Sequence, residues 1–251
     1  MASPDLFSVD GRLAVVTGGA GAIGRAAADV LIRHGASVVL FDISEENLSA
    51  AAKTLPTARL TRLRGDIREE RDIQALAKLA DSLGGVDILV NAVGVQRRRP
   101  ILDATPDDLD FLWSVNMAGV FALTQTLLPQ MVVKGYGKII NLCSIGSFIG
   151  LDQKTMYAIT KGGLAQYTRS LALEAAAYGV RVNGLAPGYV DTPMTHDWIY
   201  SERQTEYLAR IPLGRYATVD DMQGPIVFLA SAASDYMTGQ LLVLDGGWTI
   251  W

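Results

Sequence analysis

A tyrosine and a lysine four residues apart, Tyr157 and Lys161, lie on a segment of helical period and so project from one helix face. The pairing makes chemical sense as an acid–base unit. A phenol ionises near pH 10, and lowering that to about 7 takes roughly 4 kcal/mol of preferential stabilisation of the phenolate. One ammonium at about 4 Å supplies energy of that order in a partly screened site. Taken alone, Tyr-x-x-x-Lys also describes a solvent-facing helical pair, so its meaning depends on what else the chain brings beside it.

A second constellation lies near the start of the chain. The apolar run Leu13–Thr17 passes directly into Gly18-Gly19-Ala20-Gly21-Ala22-Ile23-Gly24 and then into a helical stretch. Gly19, Gly21 and Gly24 fit G-x-G-x-x-G in the strand, turn and helix context that dinucleotide binding requires. Bare glycines let the backbone approach a pyrophosphate, and free N–H groups at the helix start stabilise its charge. Asp42 closes the next apolar run, 18 residues after Gly24. A carboxylate there accepts both adenosine ribose hydroxyls and repels a 2′-phosphate: one charge pair at about 4 Å is worth roughly 4 kcal/mol at an effective dielectric near 20, about a thousandfold in affinity. NAD is therefore expected over NADP. The same aspartate also suits a helix cap ahead of Ser44-Glu45-Glu46, and the sequence leaves both roles open.

These residues need a frame. Seven short β-branched runs, Leu13–Thr17, Ser37–Phe41, Arg59–Leu63, Ile88–Asn91, Lys138–Leu142, Arg181–Leu185 and Leu241–Leu244, read as strands. Helices are expected between them at Ile23–His34, Glu45–Leu55, Glu70–Leu83, Pro106–Val133, Met156–Ala177 and Val219–Ala230. The alternation predicts a Rossmann-like doubly wound α/β fold, a parallel sheet of about seven strands with helices on both faces. Thr105-Pro106-Asp107-Asp108 and Thr218-Val219-Asp220-Asp221 carry the capping pattern of helix starts. The stretch 193–212 lacks a strong period and holds His196, Trp198, Tyr200 and Tyr207, so it is expected to cover the substrate as a mobile lid.

Across 251 residues, 49% hydrophobic and 19% charged, no Pro/Ser-rich linker interrupts the pattern, and one catalytic domain over residues 1–251 is expected. The net charge of −4 without a basic block argues against a nucleic-acid surface and mildly against an anionic membrane. One cysteine, Cys143, sits among apolar neighbours and reads as buried, consistent with a reducing compartment. With no apolar leader at the N-terminus and no uninterrupted apolar stretch of about 18 residues, a soluble cytoplasmic protein is expected. His34 and His196 lack the company of a ligand cluster, so no metal is expected.

From Thr17-Gly18 to Asp245-Gly246-Gly247 the chain resembles the short-chain dehydrogenase/reductase family, with the motifs in that family's order. Asn91-Ala92-Val93-Gly94 is similar to its Asn-Ala-Gly segment, Asn116 falls in a helix as its asparagine does, Ser144 precedes Tyr157 by 13 residues, and Pro187-Gly188 follows the sixth strand. The resemblance implies that Ser144 holds the substrate oxygen and that Tyr157 exchanges the proton. Lys161 would lower the Tyr157 pKa and bind the nicotinamide ribose, and Asn116 would hold a relay water. It also implies cofactor contacts at Gly18, Gly21, Ala22, Ile23 and Gly24, at Asp66 and Ile67 near the adenine, at Asn91 and Gly94 along the ribose, and at Pro187, Val190 and Thr192 near the carboxamide. Two departures stand out: Ala22 replaces a glycine of the family's Thr-Gly-x-x-x-Gly-x-Gly motif, and Val93 precedes Gly94. Read as single residues, Ser144 equally caps a strand end and Asn116 equally back-bonds within its helix.

Within that family, Val95-Gln96-Arg97-Arg98-Arg99-Pro100 and Asn183 to Tyr189 resemble the gluconate 5-dehydrogenase and 2-deoxy-D-gluconate 3-dehydrogenase branch. This implies hydride transfer between a secondary alcohol and NAD on a sugar acid or its keto form, with a free sugar, polyol or cyclic alcohol as the alternative. A non-catalytic NAD sensor would not need Ser144, Tyr157 and Lys161 together, and an epimerase of the extended relatives would need a larger substrate domain. Arg97 and Arg98, just past the Asn91 strand end, are candidates to clamp a carboxylate, against the simpler reading of a solvated loop or subunit contact. A homotetramer is implied, and Ala158, Ala165, Ala172 and Ala176 permit close helix packing between subunits or inside one chain.

Overall fold

The apolar runs become seven strands: β1 (Leu13–Thr17), β2 (Ser37–Asp42), β3 (Leu60–Arg64), β4 (Ile88–Asn91), β5 (Gly137–Leu142), β6 (Val180–Pro187) and β7 (Leu241–Leu244). All pair in parallel, in the order β3-β2-β1-β4-β5-β6-β7, so the expected doubly wound sheet is what forms. The computed structural model describes residues 5–250. The winding direction reverses between β1 and β4, which opens a crevice beyond their carboxyl ends.

Three helices cover one face of the sheet: α1 (Ala22–Arg33), α2 (Glu45–Ala52) and, late in the chain, α9 (Gln223–Ala230). The other face carries α3 (Glu70–Ser82), the long α4 (Pro106–Trp113) and α5 (Val120–Lys134) pair, and α6 (Thr155–Ala175). Alternate residues of each central strand feed opposite layers. Val15, Val39, Leu89, Ile139 and Val182 enter one cluster, and Ala14, Val16, Leu40, Val90 and Ile140 the other. Fully burying one such side chain contributes about 1.5–3 kcal/mol, so stability resides in the central strands rather than in edge strand β3, where Arg62 and Arg64 stay exposed.

Three expectations are refined. The single helix expected over Pro106–Val133 is interrupted at Ser114–Gly119 by a wider π-helical turn that contains Asn116. Its start is as expected, with Thr105 and Asp108 capping each other reciprocally. At the second expected start, Thr218 donates through both its N–H and its hydroxyl to Asp221, but the first turn is 3₁₀ (Asp220–Met222) before α9 begins. The stretch 193–212 forms two short helices, α7 (His196–Ile199) and α8 (Gln204–Ala209). They pack around an aromatic core of Tyr189, Trp198, Tyr207, Tyr216 and Trp248. That this stretch has an aromatic core was not legible, because the partners come from segments up to 59 residues apart, Tyr189 to Trp248.

Candidate active site

At the β1 end of the crevice the backbone itself forms the site. Gly18 adopts φ +61°, and a side chain there would collide with the Val93 backbone at 2.8 Å. A Cβ on Gly24 would sit 2.2 Å from the Gly18 carbonyl oxygen. α1 therefore starts against the turn, with Gly21 as an N-cap that offers no side chain and with no acidic residue in the first turn. Ala22 is its first residue and fits without disturbing it. Uncapped N–H groups and a positive helix end are what a pyrophosphate requires.

Asp42 is not the cap of α2, and its carboxylate is held by backbone instead. One carboxylate oxygen accepts from the Ala20 N–H and the other from the Ser44 N–H, each at 3.1 Å, which pins the group at the rim of a cavity lined by Gly18, Asp66, Ile67 and Val115. Each oxygen keeps a further lone pair for a ribose hydroxyl. The cap of α2 is Ser44, whose hydroxyl accepts from Asn47. Asp66 lines the same cavity, but its carboxylate is held by Arg68, whose guanidinium keeps it below the ordinary carboxylate range. The residues thus fit a dinucleotide: a cradle that any Cβ would fill, an anion-ready helix start and a carboxylate at ribose distance along the chain.

Asn91 closes β4, and its side chain turns into the sheet. Its amide donates to Asn141 (2.9 Å) and Thr124 (3.3 Å), and Asn141 donates on to Thr168, so the side chain belongs to a buried polar ladder through the sheet. Its Oδ1 is buried without a partner. Gly94, Ile23, Pro187, Val190 and Thr192, in contrast, all line the cavity that holds Ser144, Tyr157 and Lys161.

The candidate catalytic side chains converge from three elements. Ser144 follows β5, caps a short 3₁₀ turn by accepting from the Gly146 N–H at 3.1 Å, and lines the cavity at the same time. Tyr157 and Lys161 share one face of α6 as their spacing requires, with the ammonium 5.7 Å from the phenol ring centre. Asn116 does not back-bond. Its amide N–H groups donate to the Val95 carbonyl and Thr160 hydroxyl, while its oxygen accepts from Val95 N–H, so its side chain ties the π turn to the β4 end and to α6.

The electrostatics correct one expectation. Burial pushes the Tyr157 phenol up to about 12, with the Ser144 hydroxyl pulling the other way, although part of the ring remains open to the cavity. The lowering to about 7 that the Tyr–Lys spacing suggested is absent from the protein alone. Lys161 is itself pushed down to about 8 by burial, and its Nζ donates to the Leu142 carbonyl at 2.6 Å. Tyr157 is therefore protonated at neutral pH in the protein alone, and a protonated phenol can donate to an oxygen beside Ser144.

The arginines diverge. Arg97 pairs with Asp108 at 2.7 Å and lies over Phe111, so its guanidinium is turned to the start of α4 and does not line the catalytic cavity. Arg98 turns the other way and lies over Trp198 of α7 at 3.5 Å, also outside the cavity lining. Sequence reading passed over Lys154, which lines the cavity and is three residues ahead of Tyr157. That i, i+3 spacing was the available signal.

A proton donor set beside a dinucleotide cradle is the equipment of an oxidoreductase acting on CH–OH groups, and the chain belongs to the short-chain dehydrogenase/reductase family. A family model described as enoyl-(acyl carrier protein) reductase matches residues 18–249. Within the family the chain lies near the gluconate 5-dehydrogenase branch. It is 37% identical over 254 residues to a gluconate 5-dehydrogenase of Gluconobacter oxydans, covering 100% of this chain and 99% of that one. A 2-dehydro-3-deoxy-D-gluconate 5-dehydrogenase of Escherichia coli is 38% identical over 245 residues, covering 96% and 97%. The crystal structure of a gluconate 5-dehydrogenase from Burkholderia cenocepacia, in complex with NADP and tartrate, superposes with a TM-score of 0.93 at 37% identity, over 98% of both chains.

Proposed function

We propose that the protein is an NAD-dependent dehydrogenase/reductase that interconverts a sugar acid and its keto form. The observation that carries the chemistry is the convergence of Ser144, protonated Tyr157 and Lys161 on one cavity at the carboxyl edge of the sheet. Ser144 holds the substrate oxygen, and Tyr157 donates the proton as a carbonyl is reduced or accepts it as an alcohol is oxidised. Lys161 lines the same cavity, its ammonium 5.7 Å from the phenol ring centre, and would hold the nicotinamide ribose. Bound in the cradle, the nicotinamide supplies the hydride donor or acceptor and, when oxidised, a positive charge that favours the phenolate. The substrate class is supported by the G. oxydans and E. coli relatives, which match essentially end to end.

The cofactor choice rests on Asp42. The B. cenocepacia relative is in complex with NADP, whereas a fixed carboxylate at this rim penalises a 2′-phosphate. We further propose a homotetramer in the cytoplasm. Exposed Trp113, Phe121, Ile159 and Leu173 on α4, α5 and α6 support subunit packing. Of the small residues of α6, Ala165 and Ala172 are buried in the chain's own core.

The test is a panel of sugar acids, free sugars, polyols and cyclic alcohols assayed with NAD and NADP, together with the reverse reaction on keto acids. Activity on a sugar acid with NAD preferred by at least about a hundredfold is expected. Equal use of the two cofactors would overturn the role given to Asp42. Activity confined to neutral substrates would overturn the substrate class.

A further inference from the structure

Lys154 stands immediately before α6, so it and Tyr157 face the same way along the helix start. The residue is 5% exposed and forms part of the cavity wall with Ser144, Tyr157 and Thr192. The Nζ is surrounded by rings, 5.0 Å from the centre of Trp198, 5.4 Å from Tyr189 and 6.0 Å from Tyr157. Among the described residues it has neither a carboxylate within 4.0 Å nor a hydrogen-bond acceptor. Asp152, two positions earlier, pairs outward with Arg203 at 3.0 Å, and Glu206 does the same. The ring faces attract a cation but do not neutralise it.

A second cation stands behind the first. Arg98 lies over Trp198, its Nε buried without a partner. The two loops are clamped together by the Arg99 N–H donating to the Gln153 carbonyl at 3.0 Å. Gln153 is the one non-glycine in the left-handed region among the described residues, at φ +57°, a conformation retained where surrounding structure imposes it. It directly precedes Lys154 and aims it.

The ionisable groups that share the cavity wall with Lys154 are Cys143 after β5, Tyr157 and Lys161 on α6 and Tyr189 after β6; Arg98 stands behind it and is itself faced by Tyr189, Tyr207 and Arg203. None is an acid at neutral pH. Burial, with Arg98 adding repulsion, pushes Lys154 down to about 7, so the pair is short of one negative charge. Sequestered like charges without a counter-charge are destabilising, and an anion that joins them removes the penalty.

We propose that Lys154, backed by Arg98, is the subsite that binds the substrate's carboxylate, and thereby sets a preference for acids over neutral polyols; this rests on the sugar-acid reading above. Arg97, the other arginine that sequence reading offered, is spent on Asp108. The carboxylate lies against the lid and the reacting carbon lies at Tyr157, so one ion pair both binds and orients the substrate.

The test compares kcat and KM for an aldonate and the corresponding alditol in the wild type, Lys154→Met and Lys154→Arg, with NADH affinity measured by fluorescence. In Lys154→Met the aldonate-to-alditol ratio of kcat/KM should fall at least about tenfold, mainly through the aldonate KM, while NADH affinity stays within about twofold. Lys154→Arg should recover a large part of the ratio. Should Lys154→Met fail to bind NADH, Lys154→Gln serves the same comparison. A ratio unchanged in the neutral variants, or equal losses on both substrates, would overturn the subsite while a wild-type preference for aldonate leaves the substrate class standing. A wild type that prefers the alditol would overturn both.

Discussion

The two ends of the crevice are built from different materials. At the β1 end the ligand surface is backbone: Gly18 in a left-handed turn, Gly24 packed on its carbonyl, and an α1 start without a side-chain cap. Asp42 adds one carboxylate fixed by two backbone N–H groups. At the β6 end it is side chains drawn from distant segments: Ser144 after β5, Lys154 and Tyr157 at the α6 start, and Tyr189 and Thr192 after β6, with Arg98 and Trp198 packed behind Lys154. Backbone sites tolerate little change and serve one ligand class. Side-chain sites are re-specified by single substitutions, which is how one fold keeps its cofactor while its substrates vary.

That contrast can be broken at several points. The largest effect is expected at the chemistry shared by both ends: Tyr157→Phe should lower kcat/KM by at least about 10³ while NADH affinity stays within a few-fold, since only proton transfer is lost. A variant that kept a tenth of wild-type turnover would remove Tyr157 from the mechanism. Next, Gly24→Ala places a methyl 2.2 Å from a backbone oxygen. It should weaken NAD and NADP binding alike by at least about a hundredfold, because neither partner is a flexible side chain. Titration calorimetry showing an unchanged cofactor affinity would mean that the turn is not a cradle.

The side-chain end should instead respond to pH. Lys154 is charged below about pH 7 and neutral above it. Relative to the alditol, kcat/KM for the aldonate should therefore fall roughly tenfold from pH 6 to pH 8. Taking the ratio removes any titration common to both substrates, Tyr157 included, and a flat ratio would detach Lys154 from recognition. The smallest expected effect is on stability. The folded protein releases the Lys154 proton near 7, the unfolded chain only near 10.5, so the penalty is full below about 7 and fades as pH rises to about 10.5. Lys154→Met should raise Tm by roughly 2–4 °C near neutral pH, with a gain that shrinks in alkali. A lower Tm in calorimetry would show that the lysine stem contributes more by packing than its charge removes.

Period and residue type made most of the frame legible. Strands buried on both faces, β1 and β4 among them, read as unbroken apolar runs, and these two and edge strand β7 have the bounds their runs predict. The glycine turn, Asp42 and the Tyr157–Lys161 pair were legible for the same reason, since each is a local pattern in which neighbours in the chain remain neighbours in space. What the tertiary structure alone decided lies in contacts between distant segments. The Asn91 side chain turns into the sheet because Asn141, 50 positions away, takes its amide. Of two adjacent arginines, Asp108 takes Arg97 while Trp198 takes Arg98. The Tyr157 pKa follows the burial that the packed cavity imposes rather than its spacing from Lys161. Spacing states which groups share a helix face; desolvation and partner choice depend on everything else that arrives there, and only the folded chain brings that together.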